Sequence, residues 1–237
     1  MEYVCLAGGR GTRMGRLGSY LQKCMYPVGL RPFLELALAE AVAAGAQRVH
    51  VVVGHLQEQI RAYFGGEYAG MELVYVVQQQ PLGTGHAVAQ VAPLVTGAGS
   101  VLVWQADVFV PRELFEQLAR HAAPNVLTLV EEEDAPPDVM VTADATHVTR
   151  AWQGAGPYSD AGVWRLEPRL MAELAAQASP GGEYRMLPNL QLLLDAGRAE
   201  VGFQTIGQRL HLGGSHPSPE ENVAAVVGRL LDRGRQA

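Results

Sequence analysis

The sequence predicts one α/β domain with a mainly parallel, twisted central sheet and helices on both faces. Three observations carry that expectation. Apolar runs of strand length alternate with longer helical stretches through the first half of the chain, the pattern of parallel strands joined by helical crossovers. The 237 residues, 48% hydrophobic and 18% charged, are globular in composition and numerous enough for one substantial core. No internal repeat and no linker divides them.

In chain order, the apolar run Tyr3 to Ala7 reads as a buried first strand, followed by a helix at 33–44. Strand 48–53 precedes helix 56–64, strand 73–77 precedes helix 84–92, and strand 100–104 precedes helix 111–121. Loops rich in glycine and proline punctuate the series at 65–70, 80–85 and 96–99. Beyond Leu127–Val130 the pattern changes. The acidic, proline-bearing stretch 131–137 reads as a solvated loop, and hairpin-like strands follow at 138–143 and 146–152. Strand 161–166 and helix 168–176 return to the earlier style, and Pro219 suits the first turn of a last helix at 219–233.

A formal net charge of −6 argues against a nucleic-acid partner held by a broad basic surface. No apolar run has membrane-spanning length, and the first residues lack the layout of a signal peptide. Two cysteines, Cys5 and Cys24, make no disulfide framework, so a cytoplasmic protein with reduced thiols is expected. His50, His55, His121 and His147 have no metal-ligand spacing and read as structural or exposed, while Trp104, Trp152 and Trp164 read as core residues on strands.

The chemistry gathers at strand ends. Leu6-Ala7-Gly8-Gly9-Arg10-Gly11-Thr12-Arg13-Met14 runs from the first strand into a loop with three glycines and basic side chains. Such a loop brings backbone N–H groups close to a ligand and suits a phosphate chain. It is neither a dinucleotide fingerprint, which needs a glycine where Met14 stands, nor a P-loop, which needs a Lys-Ser/Thr pair after its last glycine. Of the 18 lysines and arginines only Lys23 is lysine, so a compact ammonium is kept where guanidinium is otherwise the rule. Gln78-Gln79-Gln80-Pro81-Leu82-Gly83-Thr84-Gly85-His86 follows a strand and opens a helix. Its glutamine amide could read a base edge, or Thr84 could simply cap the helix. Asp107, past Val101–Trp104, is either a hard oxygen ligand for Mg²⁺ or the cap of the next helix.

Together these segments resemble the sugar nucleotidyltransferases (nucleoside-diphosphate-sugar pyrophosphorylases), nearest the uridylyltransferase domain acting on N-acetylglucosamine 1-phosphate. The match also includes the Lys23…Pro27 spacing with Arg31-Pro32, and Val49-His50-Val51-Val52-Val53-Gly54-His55. Fainter echoes continue at Asp160-Ala161-Gly162-Val163, Gly182-Glu183-Tyr184 and Leu212-Gly213 before Pro219-Glu220. The resemblance implies a Rossmann-like single domain, with a nucleotide-binding half to residue 125 and a sugar-phosphate-binding half from 126. It implies that Leu6, Ala7, Gly8, Gly9, Gly11 and Thr12 hold the nucleotide, that Arg13 and Lys23 are catalytic, and that Gln78, Gly83 and Thr84 meet the base, uracil before thymine. Asp107 would bind Mg²⁺, and Gly162 and Glu183 would meet the sugar phosphate. The implied partners are a nucleoside triphosphate and a sugar 1-phosphate.

Three positions depart from the family pattern. Gln153-Gly154 stands where Glu-Lys is usual, Ala106 precedes the metal aspartate in place of glycine, and His211 falls where a second acidic metal ligand is expected. Asp160, Glu183 and Glu220 are the carboxylates that could make good the loss. The hexapeptide-repeat extension of bifunctional members is not present, so a second, acetyltransferase activity is not expected. These departures keep two other readings in view: transfer to another phosphorylated acceptor such as choline phosphate, or a catalytically weak nucleotide-binding regulatory module.

Overall fold

The computed structural model describes residues 1–131, 139–179, 181–212, 221 and 223–228, without the side chain of Arg13. Four strands form its centre. β1 (Glu2–Ala7), β4 (Arg48–Val53), β6 (Met71–Val77) and β7 (Val101–Gln105) lie in the order β7-β1-β4-β6, all parallel. β4 is mostly valine, and β1, β4 and β7 are buried on both faces, as strands covered by helices on each side require.

Two short pieces of sheet lie beside this centre. β2 (Pro27–Val28) and β3 (Arg31–Pro32) make a hairpin of their own, and β5 (Glu67–Tyr68) pairs antiparallel with β6 at the sheet edge. The helices α1 (Phe33–Ala43), α2 (Gln57–Phe64), α3 (Thr84–Val91) and α4 (Arg112–Arg120) fall within the expected ranges. α4 illustrates why. Leu114, Phe115 and Leu118 turn one face inward, and Glu116 pairs with Arg112 and Arg120 on the other.

The second half builds the sheet differently. β8 (Val126–Glu131), β9 (Met140–Ala143), β10 (Val148–Arg150) and β11 (Tyr158–Leu166) follow, with β11 antiparallel to β7, β8 and β9. β12 (Gly202–Ile206) runs parallel to β8. The sheet is therefore parallel from β7 to β6 and turns antiparallel at β11, continuous across both parts. α5 (Pro168–Glu173) is shorter than expected, and α6 (Met186–Asp195) and β12 had no counterpart in the sequence reading. α6 carries Pro188 in its first turn, where a missing N–H costs nothing but looks like a break in the sequence.

Two cores cover the two faces. Tyr3, Cys5, Val51, Leu102 and Trp104 pack with α1, α2 and α4, while Val4, Val52, Val103 and Trp164 pack with α3, α5 and α6. Strand alternation sends successive residues to opposite helical layers. Trp104 and Trp164 are core residues as expected, whereas Trp152 lies past the end of β10 and is half-buried. The acidic loop beyond Glu131, the Gly213-Gly214 turn, Pro219, Glu220 and most of the expected last helix lie outside the described residues; 223–228 are helical.

Candidate active site

In an open α/β sheet, ligands bind beyond the strand carboxyl ends where the order reverses. Here that point lies between β1 and β7, flanked by the glycine loop and Asp107. The three glycines of the loop differ in kind. A side chain at Gly8 would press its Cβ to 2.8 Å from Gln78 Oε1, and Gly11 has φ 61° with Lys23 Cβ 3.3 Å from where its own would lie. Gly11 is required by its left-handed backbone, and Gly8 sits tightly against the end of the buried Gln78 side chain. Gly9 meets nothing within 4 Å, so its open side is the part of the loop free to face a ligand. Leu6 and Ala7 end β1 against it, Thr12 is exposed, and the backbone of Arg13 lies in the 3₁₀ stretch Thr12–Ser19.

Lys23 begins a 3₁₀ turn, and its ammonium donates to Asp107 Oδ2. The pair is largely enclosed, with side chains 12% and 22% exposed. The helix-cap reading of Asp107 fails. The first N–H of α4, that of Arg112, donates instead to Glu40 Oε2 at 2.6 Å. His211 stands next to this centre through an antiparallel bridge with Val108, and the Leu212 N–H donates to the Asp107 carbonyl at 2.8 Å. Burial pushes the thiols of Cys5 and Cys24 up, and the Asp107 charge pushes them further, so both are inert neutral groups beneath the site.

Among the described residues no group of three or more His, Cys, Asp and Glu could hold a metal. The donor set nonetheless fits Mg²⁺, which takes one or two carboxylates and completes its octahedron with phosphates and water. Asp107 is such a carboxylate, and it already attracts a cation in Lys23. The His211 imidazole suits softer metals and adds little.

Gln78 is 6% exposed and bridges two loops. Its Nε2 donates to the Gly83 carbonyl at 3.2 Å and to His86 Nδ1 at 3.0 Å, which commits both amide protons. Its oxygen, beside Gly8, stays an acceptor. Gly83 (φ 98°) and Gly85 have backbone neighbours. A Cβ at Gly83 would lie 2.7 Å from the Tyr184 carbonyl oxygen, and one at Gly85 would lie 2.0 Å from that of Leu174. Thr84 caps no residue of its own helix. Its hydroxyl accepts from the Met186 N–H at 3.0 Å, capping α6, and the Tyr184 carbonyl accepts from the Gly85 N–H at 2.8 Å. The 78–85 loop and the 182–184 turn are thus one structure, which brings exposed Glu183 to the same end of the sheet.

A family model described as a MobA-like NTP transferase domain matches residues 3–189 of the chain. The chain belongs to this family. The match takes in every residue named above from Leu6 to Glu183 and makes the chain a member of an enzyme family of nucleotidyltransferases. The bifunctional protein GlmU of Symbiobacterium thermophilum is 39% identical over 163 residues, 67% of this chain and 33% of that protein. GlmU of Pseudomonas fluorescens is 37% identical over 134 residues, 56% of this chain and 28% of that protein. The chain therefore spans about a third or less of the length of these relatives. In fold it is similar to a Bacillus anthracis protein assigned as a glucose-1-phosphate thymidylyltransferase (TM-score 0.78, 18% identity, 95% and 94% of the two chains). A UDP-glucose pyrophosphorylase solved with UDP-glucose gives TM-score 0.74 at 19% identity, over 97% and 100% of the chains. The family resemblance and the fold class read from the sequence are borne out.

The second half of the chain explains one departure physically. A Cβ at Gly154 would lie 2.8 Å from the Thr142 N and 2.9 Å from its hydroxyl oxygen, so no side chain fits there. Gln153, exposed with φ 51°, begins that tight passage. Gly162 (φ 79°) lies in the irregularity of β11, where a Cβ would come within 3.0 Å of Gln105. Beside it, buried Asp160 accepts from Trp164 Nε1 at 2.7 Å, and Arg209 donates to its carbonyl at 2.9 Å. Burial raises the Asp160 pKa to about 6. Sequence reasoning missed Gln22 and Arg209, and met Tyr184 only within the Gly182-Glu183-Tyr184 echo. The three act through backbone groups, and no motif or periodicity marks such contacts.

Proposed function

We propose that this NTP transferase joins a nucleoside triphosphate, UTP before dTTP, to a sugar 1-phosphate, releasing pyrophosphate and forming a nucleotide sugar. One observation carries the reading: the single lysine and Asp107 meet at the reversal point of the sheet, beside the one glycine of the loop with open space before it. A sugar-phosphate oxygen attacks the α-phosphorus in line, the bond from that phosphorus to the β-bridging oxygen breaks, and pyrophosphate carries the electron pair away. No covalent enzyme intermediate is needed, so alignment and charge neutralisation supply the catalysis.

In this reading Leu6, Ala7, Gly8, Gly9, Gly11 and Thr12 seat the triphosphate, and Arg13 and Lys23 meet the phosphates. Lys23 leaves Asp107 for the phosphates as they arrive. Asp107 would hold Mg²⁺, which when bound neutralises triphosphate charge. Gln78 presents its free oxygen to the base, with Gly83 and Thr84 framing that side; an acceptor suits the imide N–H of uracil or thymine. Gly162 and Glu183 lie toward the acceptor. The two proteins similar in fold, a glucose-1-phosphate thymidylyltransferase and a UDP-glucose pyrophosphorylase, support the sugar phosphate.

The closed passage at Gln153-Gly154 favours a second reading, transfer to another phosphorylated alcohol, because it leaves the acceptor without a carboxylate and a cation. Pyrophosphate release measured across triphosphates and phosphorylated acceptors separates the two. Turnover is expected with UTP and a sugar 1-phosphate. Turnover confined to choline phosphate or a similar acceptor would establish the second reading, and none with any pair would leave a nucleotide-binding module.

A further inference from the structure

Gln22 precedes the lysine and has no place in the ligand contacts above. It is 2% exposed and uses both ends of its amide. Nε2 donates to the Ala7 carbonyl at 2.7 Å and reaches that of Gly9 at 3.5 Å, while Oε1 accepts from the Cys24 N–H at 2.7 Å. Its own backbone N–H donates to Gln59 Oε1 at 2.8 Å, and Gln59 Nε2 donates to the Tyr20 carbonyl at 2.8 Å. One buried amide therefore joins the end of β1 and the glycine loop to the turn that carries Lys23, and α2 braces the joint from outside.

We propose that Gln22 is a positioning residue: it fixes the separation between the glycine loop and the Lys23 ammonium. The proposal rests on the reading of that loop and that lysine as the phosphate site. Only an amide meets the demand at this position, a donor toward two carbonyls and an acceptor toward one N–H on a single planar group. A carboxylate would face the two carbonyls with no proton to give. A thioether would leave buried backbone groups without partners. The joint has little slack, since a Cβ at Gly11 would already lie 3.3 Å from Lys23 Cβ. A misplacement of about 1 Å can cost roughly 10²-fold in an aligned transfer.

The chain offers its own reporter. With one lysine, a lysine-labelled NMR spectrum holds a single side-chain signal, which follows the Lys23–Asp107 pairing without substrate. In Gln22→Met, close in volume, that signal is expected to move toward its position in Asp107→Asn. The kcat should fall about tenfold or more, with the KM for triphosphate changed by less than about threefold. Gln22→Glu should do the same, through repulsion at the two carbonyls. If Gln22→Met does not fold, Gln59→Ala decides: it removes only the half-buried outer brace, and a smaller shift in the same direction is expected. An unmoved lysine signal in folded Gln22→Met, or in Gln59→Ala standing in for it, overturns the proposal. Absence of turnover in the native chain would overturn the functional reading alone, because the spectrum decides Gln22 without it.

Discussion

At the scale of single residues, two charges buried for different reasons make opposite predictions. Lys23 is enclosed with Asp107, so Lys23→Ala strips a carboxylate of its nearest cation. The loss of that charged hydrogen bond should cost about 1–3 kcal/mol of stability in chemical denaturation. Turnover should fall on the order of 10²–10³-fold, as for other preorganised charges. Lys23→Arg should not rescue it, because a longer, forked cation cannot occupy the place of an ammonium held against Asp107. Native turnover in Lys23→Arg would remove Lys23 from the chemistry. Asp160 is buried, and although the Arg209 guanidinium lies near enough to favour its charge, burial outweighs that help. Its pKa, raised to about 6 from an ordinary 3.8, means that the folded protein binds the proton more tightly than the unfolded chain. Stability is therefore lost as pH rises from about 4 through 6, then levels off. Asp160→Asn keeps an acceptor for Trp164 Nε1 and should stabilise the protein at pH 7.5 by up to about 3 kcal/mol. That gain should largely vanish near pH 4. Urea titrations at both pH values that show the same difference would refute this account.

At the scale of elements, the glycines separate packing from function. Gly85→Ala would place a methyl 2.0 Å from the Leu174 carbonyl oxygen, where backbone must move. It should destabilise the fold by about 1–3 kcal/mol, the range for overpacking. Gly9→Ala adds a methyl into open space, so melting should be unchanged while the affinity for triphosphate falls. Equal effects of Gly9→Ala and Gly85→Ala on melting would undo the distinction. The sequence showed both as glycines of a ligand loop and could not tell them apart. The neighbours that decide their roles, Leu174 and Tyr184, lie about 90 to 100 positions away. Within a single element the sequence was far more legible. Strand β4 and helices α1 to α4 follow from apolar periodicity, because each element buries a face that its own spacing defines. α6 was hidden by Pro188. β12, with Gln204 and Thr205 in its short length, earns its place through pairing with β8 rather than through its own pattern. Asp107 was legible as a residue at a strand end, but its pairing with Lys23 joins positions 84 apart and required the fold.

At the scale of the whole molecule, one sheet runs from the antiparallel edge strands of the second half into the parallel strands of the first, with β11 hydrogen-bonded directly to β7 beside the site. The two halves should therefore melt together, and a ligand bound at the reversal point should stabilise both. Linkage sets the size: a ligand at 100 times its Kd adds about 2.7 kcal/mol, which for a chain of this length raises Tm by roughly 5–10 °C. UTP with Mg²⁺ should produce a shift of that order in calorimetry, as a single transition. ATP should produce far less, since adenine offers no ring N–H to the acceptor that Gln78 keeps, and GTP should also fall short of UTP, as the uracil assignment requires. Gln78→Ala should lower the UTP shift and bring the bases closer together without changing the melting of the free protein by more than about 1–3 kcal/mol, the cost of the two lost hydrogen bonds. Asp107→Asn should bind UTP with little further gain from Mg²⁺, because the carboxylate that would hold the metal is gone. A larger shift from ATP or GTP than from UTP would overturn the base assignment. An undiminished Mg²⁺ effect in Asp107→Asn would move the metal to another carboxylate, and two separate transitions would show that the halves bind and unfold independently.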